Sequence, residues 1–142
     1  GRYEVTDDVK AKLKADFAAG FCDDAQTKAV IKEIYDKYSY TLDTHTAVAV
    51  KVYEDYKKAT GDNTKTVIAS TASPYKFSTA VLEAIEGKVS DMDEFDKVER
   101  LHEVSGYDVP KSLAELKNKP IRFTGAIGRD EMKDFVLKSL SL

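Results

Sequence analysis

Two short stretches concentrate the side chains able to do chemistry: Asp43-Thr44-His45-Thr46, and Ser70-Thr71-Ala72-Ser73 followed by Pro74-Tyr75-Lys76-Phe77. In the second, hydroxyls follow the apolar run Thr66-Val67-Ile68-Ala69 and precede a proline. Two readings fit. Ser73 caps a helix that Pro74 opens, because a serine oxygen accepts from the first free N–H groups and proline suits the first helical position. Alternatively, three hydroxyls, Lys76 and a helix N-terminus meet at the carboxyl end of a strand, where open α/β sheets place ligands. Such a set suits a heteroaromatic nitrogen and a phosphate. His45 reads as a polar residue at a buried helix start or as a site residue. Lys76 reads as a solvated helix lysine or a phosphate partner, and Cys22 as a small apolar residue between helices.

Other chemistries lack their residues. The sequence has no G-x-G-x-x-G, Walker loop, nucleophile elbow or H-E-x-x-H. His45 and His102 are far apart and Cys22 is the one cysteine, so no metal site is expected. A net charge of -3 argues against gripping nucleic acid, and no apolar run nears the roughly 20 residues of a membrane span. Gly1-Arg2-Tyr3-Glu4-Val5 has neither the basic start nor the apolar core of a signal peptide. With the lone cysteine this points to a reducing cytoplasm.

The 142 residues suit one domain, and 42% hydrophobic with 33% charged residues suits a globular one. Caps and spacing predict the elements that position the two stretches. Thr6 starts a helix with Val9, Leu13 and Phe17 on one face, stopped by Gly20. Asp23 and Gln26 form a capping box for a helix lined by Thr27, Val30, Ile31, Ile34, Tyr35 and Tyr38. A third helix runs from Thr44 to about Lys58, and Ala47-Val48-Ala49-Val50 predicts a buried first half. Thr66 to Ala69 reads as a strand and Ser73-Pro74 as the start of a helix with Phe77, Val81, Ala84 and Ile85 inward, closed by Gly87. Ser90 and Asp93 open the next helix, with Met92, Phe95, Val98 and Leu101 inward and Gly106 at its stop. After a short turn with Leu113 and Leu116, Pro120 to Thr124 reads as a second strand. A last helix from about Asp130 carries Met132, Phe135, Val136 and Leu140. The expected class is helix-rich α/β with an incomplete sheet, because an isolated strand pair is marginal in water.

Leu42-Asp43-Thr44-His45-Thr46-Ala47-Val48 and Ser70-Thr71-Ala72-Ser73-Pro74-Tyr75-Lys76-Phe77 resemble the C-terminal part of threonine synthases of the bacterial and fungal type. That family carries an acidic-Pro-His-(Thr/Ala)-Ala-Val segment and, about one helix and one strand later, Thr-Ala-His-Pro-Ala-Lys-Phe. The helix from Asp23 to Tyr40 is similar to the one upstream of the family's His segment. Here Thr44 stands for the proline, Ser73 for the histidine and Tyr75 for the alanine. The family's Schiff-base lysine motif and its Gly/Asn-rich loop for the cofactor phosphate have no match in this chain, which therefore looks like the C-terminal part of the enzyme, with both features upstream.

The resemblance implies a pyridoxal-phosphate-dependent lyase of the tryptophan-synthase-β-like fold (fold type II). It would convert O-phosphohomoserine and water to L-threonine and phosphate. Thr71 is the expected cofactor-binding residue, its hydroxyl meeting the ring nitrogen, with Ser70 turned the other way along the strand. His45, Thr46, Ser73 and Lys76 are expected on the substrate side, with no catalytic residue and no metal ligand in this chain. The expected partner is the small-molecule substrate, neither nucleic acid nor membrane, and exposed edges favour self-association. The alternative is a non-catalytic helical interaction domain of the same ancestry.

Overall fold

The computed structural model describes residues 2–89 and 91–141, which fall into two compact units, Gly1–Val109 and Pro110–Leu142. The first unit holds helices α1 (Asp7–Asp16), α2 (Asp24–Tyr38), α3 (Thr44–Thr60), α4 (Ser78–Glu86) and α5 (Glu94–Ser105), with a 3-10 turn, Pro74–Phe77, running straight into α4. The second unit holds α6 (Lys111–Ala114) and α7 (Met132–Ser139), each joined to a 3-10 turn. No described helix is long and apolar enough to cross a membrane.

The helix starts follow the sequence. Asp23 accepts from the Gln26 N–H at 2.8 Å while the Gln26 side chain accepts from the Asp23 N–H at 2.9 Å, which completes the capping box of α2. Asp93 accepts from the Phe95 and Asp96 N–H groups at the start of α5; Ser90, expected beside it, lies outside the described residues. Gly61 and Gly106 end α3 and α5 at φ near +70°, a left-handed conformation that glycine adopts without a Cβ clash. The first unit's core lies where α2 packs against α3 and α4, and α4 against α5. Ile31, Val81, Leu82 and Leu101 are fully enclosed there.

Three expectations are corrected. Gly20 does not stop α1, which ends at Asp16. Glycine is needed at position 20 because a Cβ there would lie 2.9 Å from Val52 Cγ1 on α3. The α1 face of Val9, Leu13 and Phe17 is exposed. No strand occurs among the described residues: Thr66–Ala69 and Pro120–Thr124 pair with nothing, since a strand exists only when a neighbour takes its backbone groups. The described fold is helical. In the third helix, Ala47 is enclosed but Ala49 is exposed, so the buried face is a stripe and not the whole first half.

Tyr75, at 4% exposure, fastens α4 to the end of α5. Its hydroxyl donates to the Tyr107 carbonyl and lies 3.4 Å from Ser105 Oγ. His102 Nδ1 lies 2.6 Å from the same carbonyl, and since a carbonyl only accepts, Nδ1 carries the ring proton. Burial pushes the Tyr75 hydroxyl above the ordinary tyrosine pKa. The neutral form is thus favoured in the fold. Its stabilisation is complete below about pH 10 and is lost as pH rises from there through the raised value. Absorbance titration of the phenolates, with Tyr75→Phe as control, should show the Tyr75 phenol ionising above the ordinary tyrosine range. The variant should lose that late step; an unchanged curve in Tyr75→Phe contradicts the assignment.

Candidate functional site

The start of α3 and the hydroxyl stretch before α4 are far apart in sequence and meet in the fold. Asp43 is the cap residue of α3, and its side chain is fully enclosed. Oδ1 accepts from the His45 N–H at 2.8 Å and the Thr46 N–H at 3.3 Å; Oδ2 accepts from the Thr46 hydroxyl. Three donors on one carboxylate offset what its burial would otherwise cost. Thr46 Oγ1 also lies 3.1 Å from Ser70 Oγ. A second link joins the two stretches: the His45 ring packs on Phe77, with centroids 4.9 Å apart and planes at 50°.

The predicted residues sort by what they touch. Thr46 is buried, its hydroxyl spent on Asp43 and Ser70. Ser73 accepts from the Tyr75 N–H at 3.3 Å, and its carbonyl accepts from the Lys76 N–H at 3.1 Å. Pro74 has no N–H, so the opening of the 3-10 turn keeps few donors for an anion. The capping reading of Ser73 is the one the geometry realises. Lys76 is exposed, its ammonium 5.9 Å from the Phe77 ring centroid. Thr71 is exposed, and its hydroxyl has no hydrogen-bond partner among the described residues. Asp43 and Ser70 lie in the two dense stretches but were given no site role of their own from sequence, although an acidic residue just before Thr-x-Thr is a legible cap signal.

His45 also borders a cleft of about 400 Å³ between the starts of α2 and α3, with Cys22, Thr27, Lys28, Thr44 and Val48. Lys28 is paired with Glu83 at 2.6 Å. The Thr27 hydroxyl donates to the Asp23 carbonyl at 2.8 Å, which leaves the Cys22 thiol as donor in its 3.2 Å contact with Thr27 Oγ1. Neither Thr71 nor Lys76 lines this cleft among the described residues. No group of three or more His, Cys, Asp or Glu side chains able to hold a metal ion occurs among the described residues.

The chain matches the family "Threonine synthase, C-terminal" over residues 46–136, a span that includes the hydroxyl stretch and most of the second unit. It is similar to threonine synthase-like 1 of Homo sapiens, 32% identical over 92 residues that make up 65% of this chain and 12% of that protein. It is also similar to the threonine synthase of Methylobacillus glycogenes, 35% identical over 72 residues (51% of this chain, 14% of that one). The threonine synthase of Corynebacterium glutamicum is 26% identical over 121 residues, 83% of this chain and 23% of that one. The matched part thus spans between 12% and 23% of these relatives' lengths. With its hydroxyl stretch inside the matched residues, the chain belongs to the threonine synthase C-terminal family.

Proposed function

We propose that this chain is the C-terminal part of a threonine synthase, a pyridoxal-phosphate-dependent lyase that turns O-phosphohomoserine and water into L-threonine and phosphate. The observation that carries the reading is Thr71, exposed within the family's hydroxyl stretch, its hydroxyl without a hydrogen-bond partner among the described residues. The donor chemistry fits the cofactor. A pyridine nitrogen needs a donor: the Ser70 hydroxyl is turned to Thr46, the Ser73 oxygen is held as a cap accepting from the Tyr75 N–H, and the Thr71 hydroxyl has no partner among the described residues. When bound, the cofactor supplies an electron sink for charge developing at the substrate's Cα and then Cβ. This chain's part is to close one wall of the site and hold the ring with a neutral hydroxyl. A hydroxyl, unlike a carboxylate, gives no electrostatic support to a protonated ring. His45, Ser73 and Lys76 are the side chains we assign to the substrate side.

The upstream part of the protein would bring the lysine that carries the cofactor and the loop for its phosphate. It would also pair with Thr66–Ala69 and Pro120–Thr124, completing a sheet of the tryptophan-synthase-β-like kind. Val67, Ile121 and Phe123 are 90%, 83% and 83% exposed, and apolar side chains at alternate positions 121 and 123 suit a strand face awaiting cover. The 142-residue chain alone is expected to release no phosphate from O-phosphohomoserine above a no-protein control. The longer gene product containing it should release phosphate and threonine in equal amounts. Release by the short chain, or none by a longer product with its lysine and cofactor in place, contradicts the proposal.

A further inference from the structure

The enclosed carboxylate of Asp43 does more than cap α3. Its oxygens accept hydrogen bonds from the His45 and Thr46 N–H groups and from the Thr46 hydroxyl. A hydroxyl has one proton to give. Thr46 Oγ1 therefore meets Ser70, 3.1 Å away, as an acceptor. The order of donation runs from Ser70 to Thr46 to Asp43, and the buried carboxylate fixes it, because an ionised carboxylate only accepts.

The chain around Ser70 has little else to hold it. Among the described residues, 62–72 belong to no helix or strand and make no backbone-to-backbone hydrogen bond. The side-chain bonds of Asp62, Asn63, Thr64 and Thr66 reach no farther than Tyr56. Among the described residues, the Ser70 hydroxyl is what ties the stretch between Thr66 and Ser73 to a helix by hydrogen bonding. Thr71 is the next residue along.

The geometry points to Thr46 and Ser70 as positioning residues: oriented by Asp43, they hold the backbone beside Thr71 so that its free hydroxyl stands at a fixed place before any ligand arrives. That the ligand is the cofactor ring rests on the function proposed above; the tether does not. A donor fixed in advance loses less freedom on binding.

The test is ¹⁵N relaxation of the 142-residue chain without cofactor, so that it is independent of the cofactor assignment. Ser70 and Thr71 are expected near the rigid-backbone order parameter of about 0.85. Ser70→Ala changes an exposed residue and should leave the fold intact; Thr46→Val keeps the buried shape. Each should lower the order parameter at Thr71 below about 0.6 while α3 and α4 stay rigid, and Thr46→Ser should keep it near the starting value. The inference is overturned by a Thr71 already mobile in the unaltered chain, by one still rigid in Ser70→Ala, or by loosening spread evenly through α3. Failure of Thr46→Ser to preserve the rigid state also overturns it. If instead Thr71 proves irrelevant to the cofactor, that shows as unchanged cofactor affinity in Thr71→Val, which these relaxation measurements do not touch.

Discussion

Asp43→Ala is expected to lower the unfolding free energy by about 2–5 kcal/mol. Loss of a cap carboxylate from a helix costs about 0.5–2 kcal/mol. Loss of the charged acceptor of the Thr46 hydroxyl adds about 1.5–3 kcal/mol. Together these are a sizeable part of the roughly 5–15 kcal/mol that holds a typical domain. The enclosure of Asp43 is what makes the sum large, because water has little access to the buried Thr46 hydroxyl to replace the lost acceptor. Asp23→Ala is the matching control. It removes the same kind of cap from α2 at an exposed site, where water can take over, and should cost about 1 kcal/mol. Urea unfolding followed by circular dichroism reads both, provided the slope with denaturant is unchanged. Equal midpoint shifts in the two variants would contradict the role given to burial.

In the longer protein, Thr71→Val should weaken cofactor binding by about 10- to 100-fold. Valine keeps the shape and removes the donor, and an unpaired buried acceptor costs roughly 1–3 kcal/mol, with each 1.4 kcal/mol worth about tenfold. Thr71→Ser keeps the oxygen and should be mild. Thr71→Asp should favour a protonated ring, since a nearby carboxylate stabilises the cation. Thr71 is exposed and has no hydrogen-bond partner among the described residues, so none of these changes should move the short chain's stability by more than about 0.5 kcal/mol. Affinity and stability are thereby separated. Full cofactor affinity in Thr71→Val, with a loss in Ser70→Ala, would shift the assignment to the neighbouring hydroxyl.

The sequence by itself determined the local features. Asp23 with Gln26, Asp43 before Thr44, Asp93, and Gly61 and Gly106 mark helix ends by rules that act within four residues, and α2, α3 and α5 begin or end there. Helical spacing likewise marked Val30, Ile31, Val81, Ile85, Val98 and Leu101 for the core, because one face of an amphipathic helix has to be covered. The two chemically dense stretches, and the family they resemble, were legible for the same reason: residue types at fixed short spacing are written in the chain.

Tertiary structure decided what depends on a distant partner. Apolar spacing gave α1 one apolar face, but nothing in its own residues says whether another element arrives to cover Val9 and Leu13. Strand-like composition at Thr66–Ala69 and Pro120–Thr124 could not make strands, because ladder hydrogen bonds need a neighbour and helix hydrogen bonds do not. Gly20 looked like a stop signal and is a point of close approach to Val52, 32 positions later. The same holds for the hydroxyls. Ser70, Thr71 and Ser73 are chemically alike in sequence, and only the fold sets Ser70 against Thr46, gives Ser73 to the turn and leaves Thr71 without a partner among the described residues. A hydroxyl's role is fixed by which donor or acceptor comes within about 3 Å of it, and that distance is set by the packing of α3 against the rest of the unit.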